Sequence, residues 1–169
     1  YHRRLCINTY STMALLKLKK DKDLLHITLN DPDSKNAFSP PMATELDSLL
    51  ANQSYSGVIL RAQGDFFCSG GNLKFYKELT DKSQGLAHNQ NITQILERLY
   101  QLSVPTVCIV DGPCFGGGVE LISCFDYVIT TAGSLFGLWQ RRVGLTFGWG
   151  GEERLVRRLG QGNVNRWLI

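Results

Sequence analysis

The chain has 169 residues, of which 43% are hydrophobic and 20% are charged, so it is long and apolar enough to form one domain with a buried core. A formal net charge of +3, without a long block of basic residues, does not indicate nucleic-acid binding. No apolar run approaches the roughly 20 residues of a transmembrane helix, so no membrane span is expected.

The cysteines and the first 13 residues bear on the cellular compartment. Five cysteines without a C-x-x-C pair predict reduced, mostly buried thiols in an intracellular protein. Residues 1–13 include basic residues but no continuous apolar stretch of signal-peptide length. We interpret them as an N-terminal extension or tag ahead of a core over residues 14–169. A cytoplasmic location is expected, or a mitochondrial or peroxisomal one in a eukaryote.

The first half of the chain begins with two predicted strands, at residues 15–19 and Leu24–Leu29, where apolar and polar residues alternate. A loop rich in Pro, Asp, Ser and Asn follows over residues 30–36. Residues 41–50 carry apolar side chains at helical spacing and predict a helix. The β-branched run at 58–60 predicts a buried strand.

The second half contains the clearest amphipathic helix, predicted over residues 91–102. Pro105 ends it, and Thr106–Val110 is predicted as a second buried strand. A glycine-rich turn then leads into a helix over residues 119–125, and Tyr127–Thr130 returns as a strand. Strands that alternate with helices indicate the α/β class with substantial parallel pairing.

Two glycine-rich loops carry the chemical signal. Residues 66–73 follow the strand at 58–60, residues 115–120 follow the strand near 107–110, and a helix is expected after each loop. Glycines let the main chain approach a ligand closely, and N–H groups at a helix start favour negative charge. Two converging N–H groups would form an oxyanion hole. The alternative is a pair of ordinary strand-to-helix turns. Neither loop fits a P-loop or a G-x-G-x-x-G site, and the chain has no G-x-S-x-G motif.

Four segments, in order, resemble motifs of the crotonase (enoyl-CoA hydratase/isomerase) family. Residues 36–39 match N-A-[LF]-[ST], and residues 66–73 are similar to A-F-[CS]-[AS]-G-x-D-[LI]. Residues 105–121 are similar to P-x-I-A-x-[VI]-x-G-x-x-x-G-G-G-x-E-L. Residues 144–155 resemble G-[LIT]-x-P-x-x-G-[GT]-x-x-R-L. The resemblance extends from about residue 14 to the end of the chain.

The resemblance implies an α/β spiral of β-β-α units that binds an acyl-CoA thioester, with coenzyme A as part of the substrate and no other cofactor or metal. It places the two oxyanion N–H groups at Gly71 and Gly117. It further implies a lyase or isomerase of fatty acid metabolism that forms homotrimers or hexamers in a full-length form. A solvated loop position is the alternative for Lys35, the first of the implied substrate contacts. These contacts are Lys35, Asn36, Ala37, Ser69, Asn72, Leu73, Lys74 and Trp139.

The carboxylates bear on the reaction type. By resemblance, Glu120 is one of the two acid/base glutamates of the hydratases; the alternative is a capping carboxylate at a helix N-terminus. Gln140 falls where a hydratase carries its second glutamate, and an amide cannot accept and return a proton. Two-carboxylate hydration is therefore in doubt, and an isomerase, a dehalogenase or a decarboxylase remains open.

Further features of the C-terminal third bear on the reaction and on the cleft. The run Trp149-Gly150-Gly151 is reminiscent of decarboxylase-like members. Trp139 and Trp149 either pack in the core or shape the acyl pocket. The chain ends at Ile169 inside a segment similar to a family helix, so we expect C-terminal helices to be missing.

Two hypotheses stand: an acyl-CoA enzyme that acts through an enolate, or a related domain that binds acyl-CoA or a partner subunit without efficient turnover.

Overall fold

The fold was analysed in a computed structural model that describes residues 14–51 and 54–168. Five strands form the main sheet in the order β1-β2-β3-β4-β6, where the first pair is antiparallel and the others are parallel. A separate parallel pair is formed by β5 and β7. The strands are β1 (Leu16–Asp21), β2 (Leu24–Leu29), β3 (Gly57–Ala62), β4 (Thr106–Val110), β5 (Cys114–Phe115), β6 (Tyr127–Thr130) and β7 (Phe136–Gly137).

Six α-helices connect and cover the strands, and two short 3-10 helices span Pro32–Ser34 and Trp139–Val143. The α-helices are α1 (Pro40–Ala51), α2 (Leu73–Lys77), α3 (Lys82–Tyr100), α4 (Gly117–Ile122), α5 (Gly151–Leu159) and α6 (Gln161–Leu168). Helices α1 and α3 pack against each other, and α5 packs against both α4 and α6.

The core is one continuous apolar cluster between the sheet and these helices. On β2, Leu25, Ile27 and Leu29 are fully buried, whereas the alternating His26 and Thr28 are half-buried. This period-two burial is the pattern expected of a strand with one face on the core. The core side chains of α1 and α3 recur at helical spacing, and they are Met42, Leu46, Leu50, Ile92, Ile95, Leu96 and Leu99.

The α/β class and the main predicted strands are confirmed, but several bounds differ. Helix α3 begins at Lys82, nine residues before the predicted start at 91. Asp81 caps it by accepting a hydrogen bond from the Ser83 N–H at 2.9 Å, so the helix starts in a polar stretch without an apolar stripe. Helix α4 spans Gly117–Ile122 rather than residues 119–125, because its first turn begins within the glycine run. The two-residue strands β5 and β7 were not predicted.

The cysteine prediction is confirmed where it can be checked. Cys68, Cys108, Cys114 and Cys124 are free and buried. Burial raises the pKa of the Cys68 thiol to about 11 and that of Cys124 to about 12. Cys6 and the interpretation of residues 1–13 lie outside the described residues. Within residues 14–51 and 54–168, no helix has both the length and the apolar character needed to cross a membrane.

Candidate active site

The two glycine loops pair directly with each other. Cys68 and Cys114 form a parallel bridge, in which the Phe115 N–H donates to the Cys68 carbonyl at 2.9 Å. Gly70 has a φ of +110°, and a Cβ there would lie 3.2 Å from the Phe115 carbonyl oxygen. A side chain at this position would be both strained and crowded, so glycine is what lets the loops approach.

The N–H groups of Gly71 and Gly117 have no acceptor among the described residues. Phe38 bonds to the residues on either side of Gly71: its N–H donates to the Gly70 carbonyl at 2.8 Å, and its carbonyl accepts from the Asn72 N–H at 3.0 Å. Gly117 is the first residue of α4, where helical N–H groups lack an intrahelical partner. Two unpaired donors therefore lie on adjacent loops.

A cleft of about 610 Å³ adjoins both glycines. Its walls come from the two loops, α2, the start of α3 and the segment between β7 and α5. Among the described residues that line it, Glu120 is the one with a carboxylate, and no Lys, Arg or His lines it. Apart from Glu120, the lining is apolar or neutral.

Trp149 forms the wall nearest to the two glycines, and it is 4% exposed. A Cβ on Gly71 would lie 3.3 Å from the indole, and one on Gly117 would overlap the ring. The ring of Phe38 packs on the indole at a centroid distance of 5.6 Å. The buried Arg154 donates to the Trp149 carbonyl at 3.0 Å and fixes the backbone there. Trp149 therefore packs in the core and also bounds the cleft.

Glu120 is 2% exposed and accepts four hydrogen bonds. The donors are the backbone N–H groups of Gly148 at 3.3 Å, Trp149 at 2.9 Å and Gly151 at 3.0 Å, and the Gln140 amide at 3.2 Å. Burial raises the pKa of the Glu120 carboxyl, and the four donors oppose that shift. The carboxylate therefore binds the segment that begins α5, at the N-terminus of a helix other than its own.

Gln140 bonds to Glu120 and keeps one unpaired atom. Its Nε2 faces the carboxylate, so Oε1 points away, and Oε1 is buried without a partner among the described residues. Trp139, its neighbour, is 42% exposed and stacks on Phe115 at a centroid distance of 3.8 Å. The Arg142 guanidinium lies 4.5 Å from the Trp139 ring centroid. Both Gln140 and Trp139 line the cleft.

The substrate contacts implied by the resemblance divide into two groups. Ser69 and Leu73 line the cleft with Gly71 and Gly117. Lys35, Ala37, Asn72 and Lys74 do not line it. Lys35 and Lys74 are exposed, with Lys35 Nζ 4.9 Å from the Phe66 ring centroid, and Ala37 is buried. The Asn72 side chain accepts from the Phe75 N–H at 3.1 Å and caps α2.

Asn36, another of the implied substrate contacts, forms hydrogen bonds within the protein. Its side chain is fully buried. Nδ2 donates to the carbonyls of Gln63 at 2.9 Å and Phe66 at 2.8 Å, and Oδ1 accepts from the Asp31 N–H at 2.9 Å. With its amide committed to these three hydrogen bonds, Asn36 ties the first glycine loop to the 31–36 loop.

Several polar side chains of the cleft were not predicted, and two of them bond to each other. Tyr76 on α2 and Asn89 on α3 share a hydrogen bond of 2.8 Å from the phenol to Asn89 Oδ1. Neither belongs to a motif, and Asn89 lies before the predicted start of its helix. Only the extension of α3 to Lys82 brings Asn89 opposite α2.

The fold and the paired loops define an α/β domain whose cleft presents two unpaired backbone donors. The model of the enoyl-CoA hydratase/isomerase family matches residues 19–169, and the chain belongs to that family. The predicted family and fold are therefore confirmed.

Curated relatives include enzymes of two reaction types. An ethylmalonyl-CoA decarboxylase of Xenopus laevis is 31% identical over 154 residues, which cover 89% of this chain and 52% of the relative. A 2,3-dehydroadipyl-CoA hydratase of Escherichia coli is 27% identical, over 93% of this chain and 62% of the relative. The chain thus spans about half to three-fifths of the length of these two relatives.

Solved structures agree on the fold. AtuE of Pseudomonas aeruginosa has a TM-score of 0.85 at 29% identity, covering 92% of this chain and 62% of that one. A Thermobifida fusca protein in complex with acetoacetyl-CoA has a TM-score of 0.83 at 22% identity, covering 92% of this chain and 66% of that one.

Proposed function

We propose that this chain carries the cleft of an acyl-CoA enzyme that decarboxylates a short 2-carboxyacyl-CoA, such as ethylmalonyl-CoA, through a thioester enolate. The observation that carries this proposal is the contrast between two unpaired N–H donors, at Gly71 and Gly117, and a cleft carboxylate that already accepts four hydrogen bonds. The names of the ethylmalonyl-CoA decarboxylases among the relatives support the substrate class.

The proposed step needs an oxyanion hole and no protein base. The bond between the α-carbon and its carboxylate breaks, CO₂ leaves, and the electron pair forms the enolate. The thioester oxygen then carries the negative charge and accepts from the Gly71 and Gly117 N–H groups. Water delivers a proton to the α-carbon and leaves hydroxide. Donors placed where charge develops are worth about 3–4 kcal/mol each.

Hydration and isomerisation fit the cleft less well. Adding water to a 2-enoyl-CoA needs a group that removes a proton from water and one that delivers a proton to the α-carbon, and shifting a double bond needs a base for carbon. Glu120 is occupied by four donors, and Gln140 cannot exchange protons. General acid–base assistance is worth about 10²–10⁴-fold, so its loss should make hydration slow.

The walls of the cleft favour a short acyl chain with a free carboxylate. Trp149 lies against both glycines and limits the room beside the thioester. Among the described residues, no Lys, Arg or His lines the cleft, so the substrate carboxylate would form no ion pair there. Such an ion pair would be lost when the carboxylate leaves as CO₂. An interaction made only with the ground state would slow the reaction.

The test compares reactions on one preparation of purified protein. We expect release of CO₂ from ethylmalonyl-CoA and a hydration rate on crotonyl-CoA at least 100-fold lower, consistent with the missing acid–base pair. Crotonyl-CoA hydration as fast as decarboxylation would refute the proposal. Gln140→Glu should raise hydration if the position is otherwise competent.

A binding measurement separates the remaining alternative. If butyryl-CoA binds by calorimetry but none of ethylmalonyl-CoA, crotonyl-CoA or 3-enoyl-CoA is converted, the chain acts as an acyl-CoA-binding domain without turnover. The proposed decarboxylation would then be wrong, while the acyl-CoA site would stand.

A further inference from the structure

Three side chains form a hydrogen-bonded cluster on the cleft wall that includes neither Glu120 nor Gln140. They are Tyr76 on α2, Asn89 on α3 and Trp149, which precedes α5, and we call them the Asn89 cluster. The Tyr76 hydroxyl donates to Asn89 Oδ1 at 2.8 Å, and the Trp149 indole N–H donates to the same oxygen at 3.2 Å. The cluster therefore joins two helices to the wall that faces the glycines.

The two donors fix which way the Asn89 amide points. An indole N–H can only donate, so the Asn89 atom that faces it must be the oxygen. Nδ2 is then held on the other side, and it has no acceptor among the described residues. A Cβ on Gly148 would lie 3.8 Å from Nδ2, which places the amide beside the segment that leads into Trp149.

Other polar side chains of the cleft are committed or exposed. Four hydroxyl groups line it, and each donates to an acceptor within the protein: those of Ser69, Tyr76, Thr93 and Thr146. The Gln90 amide and the Trp139 indole also line the cleft, but both residues are exposed. Among the described residues, the side chains of the cleft that keep a free N–H donor group are therefore Asn89, Gln90 and Trp139. Of these three, Asn89 is the one held in place by two hydrogen bonds.

We propose that Asn89 Nδ2 binds the free carboxylate of the 2-carboxyacyl-CoA and so sets the preference for carboxylated over plain acyl thioesters. This inference rests on the proposed function. A carboxylate accepts hydrogen bonds only, so the Glu120 carboxylate and the unpaired Gln140 Oε1 cannot hold it. A neutral amide orients the carboxylate without the strong attraction of a cation, which would stabilise the group that must leave.

Asn89→Asp tests the proposal with almost no change of shape. One carboxylate oxygen of the variant still accepts from Tyr76 and Trp149, so the cluster and the fold should be kept. The other oxygen replaces Nδ2 and turns a donor into an anion. Asn91→Asp makes the same substitution at an exposed position on α3 that does not line the cleft, and it serves as the charge control.

The readout is the ratio of the affinity for ethylmalonyl-CoA, measured by rapid mixing before turnover, to the affinity for butyryl-CoA, which lacks the carboxylate. Affinity is the quantity to compare because kcat/KM does not record a hydrogen bond made only with the ground state. A hydrogen bond to a charged group corresponds to about a 10- to 100-fold effect, so we expect Asn89→Asp to lower this ratio by at least that much. Butyryl-CoA affinity and the unfolding midpoint should stay near wild type, and Asn91→Asp should leave the ratio unchanged.

Several outcomes overturn the proposal. They are an unchanged ratio in Asn89→Asp, an equal loss for both ligands, or a larger loss of the ratio in Gln90→Glu than in Asn89→Asp. If the wild type decarboxylates ethylmalonyl-CoA and Asn89→Asp leaves the ratio unchanged, this inference is refuted and the proposed function stands. If the wild type does not decarboxylate, the proposed function fails, and the persistent ethylmalonyl-CoA allows the same ratio to be read from dissociation constants.

Discussion

Replacing Glu120 by glutamine separates an anchoring carboxylate from a proton-transfer group. Glu120 Oε2 accepts from the backbone N–H groups of Trp149 and Gly151, and Oε1 accepts from Gly148 and the Gln140 amide. A glutamine keeps one acceptor oxygen and presents an NH₂ group in place of the other. In place of Oε2, that NH₂ group faces the N–H groups of Trp149 and Gly151. In place of Oε1, it faces the Gly148 N–H and the Gln140 amide, which can turn its unpaired Oε1 to accept from it.

The expected cost follows from counting the lost acceptors. In the orientation that keeps the bonds to Trp149 and Gly151, the partly buried Gly148 N–H is left unsatisfied at about 1–3 kcal/mol. Burial disfavours the charged form of Glu120 and so raises its pKa. Replacing the carboxylate by a neutral amide therefore offsets part of the lost stability. We therefore expect Glu120→Gln to lower the free energy of unfolding by about 1–2 kcal/mol.

Urea unfolding followed by tryptophan fluorescence measures this difference, because Trp149 is tied to the same carboxylate. Glu152→Gln is the control: Glu152 is an exposed residue of α5, and its substitution should change the free energy of unfolding by less than about 0.5 kcal/mol. If Glu120→Gln unfolds like the wild type but loses all activity, Glu120 acts in proton transfer and its anchoring role is wrong.

Two further perturbations follow from the packing around the glycine loops. Gly117→Ala should lower the free energy of unfolding by about 1–3 kcal/mol in urea titrations, because the new methyl group overlaps the Trp149 ring. Gly133→Ala is the control and should be neutral, since a Cβ there meets nothing within 4 Å. Equal effects of the two substitutions would contradict the packing. Burial raises the pKa of Cys68 to about 11, so its thiol should resist iodoacetamide at pH 8 in the native state and react in urea. Peptide mass spectrometry measures the alkylation. Rapid alkylation of the native protein would place the thiol at the surface.

The features that local sequence could predict are those in which a motif and its contacts are adjacent in the chain. The glycine loops are an example, since the residues that shape each turn lie within a few positions of Gly71 or Gly117. The strands of the main sheet were also predicted, because alternation and β-branched runs reflect burial directly. The short strands β5 and β7, with two residues each, carry no such pattern.

The role of Glu120 depends on distant residues. Its backbone donors lie 28 to 31 positions later in the chain, and a backbone N–H leaves no trace in the side-chain sequence. The hydrogen bonds of Asn36 could not be predicted from its motif for a related reason. The motif marks a position, but its amide bonds to carbonyls 27 and 30 residues away.

The Asn89 cluster was missed because periodicity underestimates helices with polar first turns. Residues 82–90 have few apolar side chains, so the apolar stripe began at Ile92 and the predicted helix at 91. The N-cap at Asp81 was the available signal: an Asp ahead of a helical stretch predicts a helix start.

The central claim is that the Gly71 and Gly117 N–H groups bind an enolate oxygen, and the direct test removes one of these N–H groups. Proline at Gly117 is unsuitable because its Cβ would overlap Trp149. Replacing the Gly117 amide by an ester, through incorporation of glycolic acid, deletes the N–H without adding a side chain. We expect the affinity for the enolate form of acetoacetyl-CoA, followed by its ultraviolet absorption, to fall about 100-fold or more. Unchanged affinity and an unchanged enolate spectrum would contradict the claim.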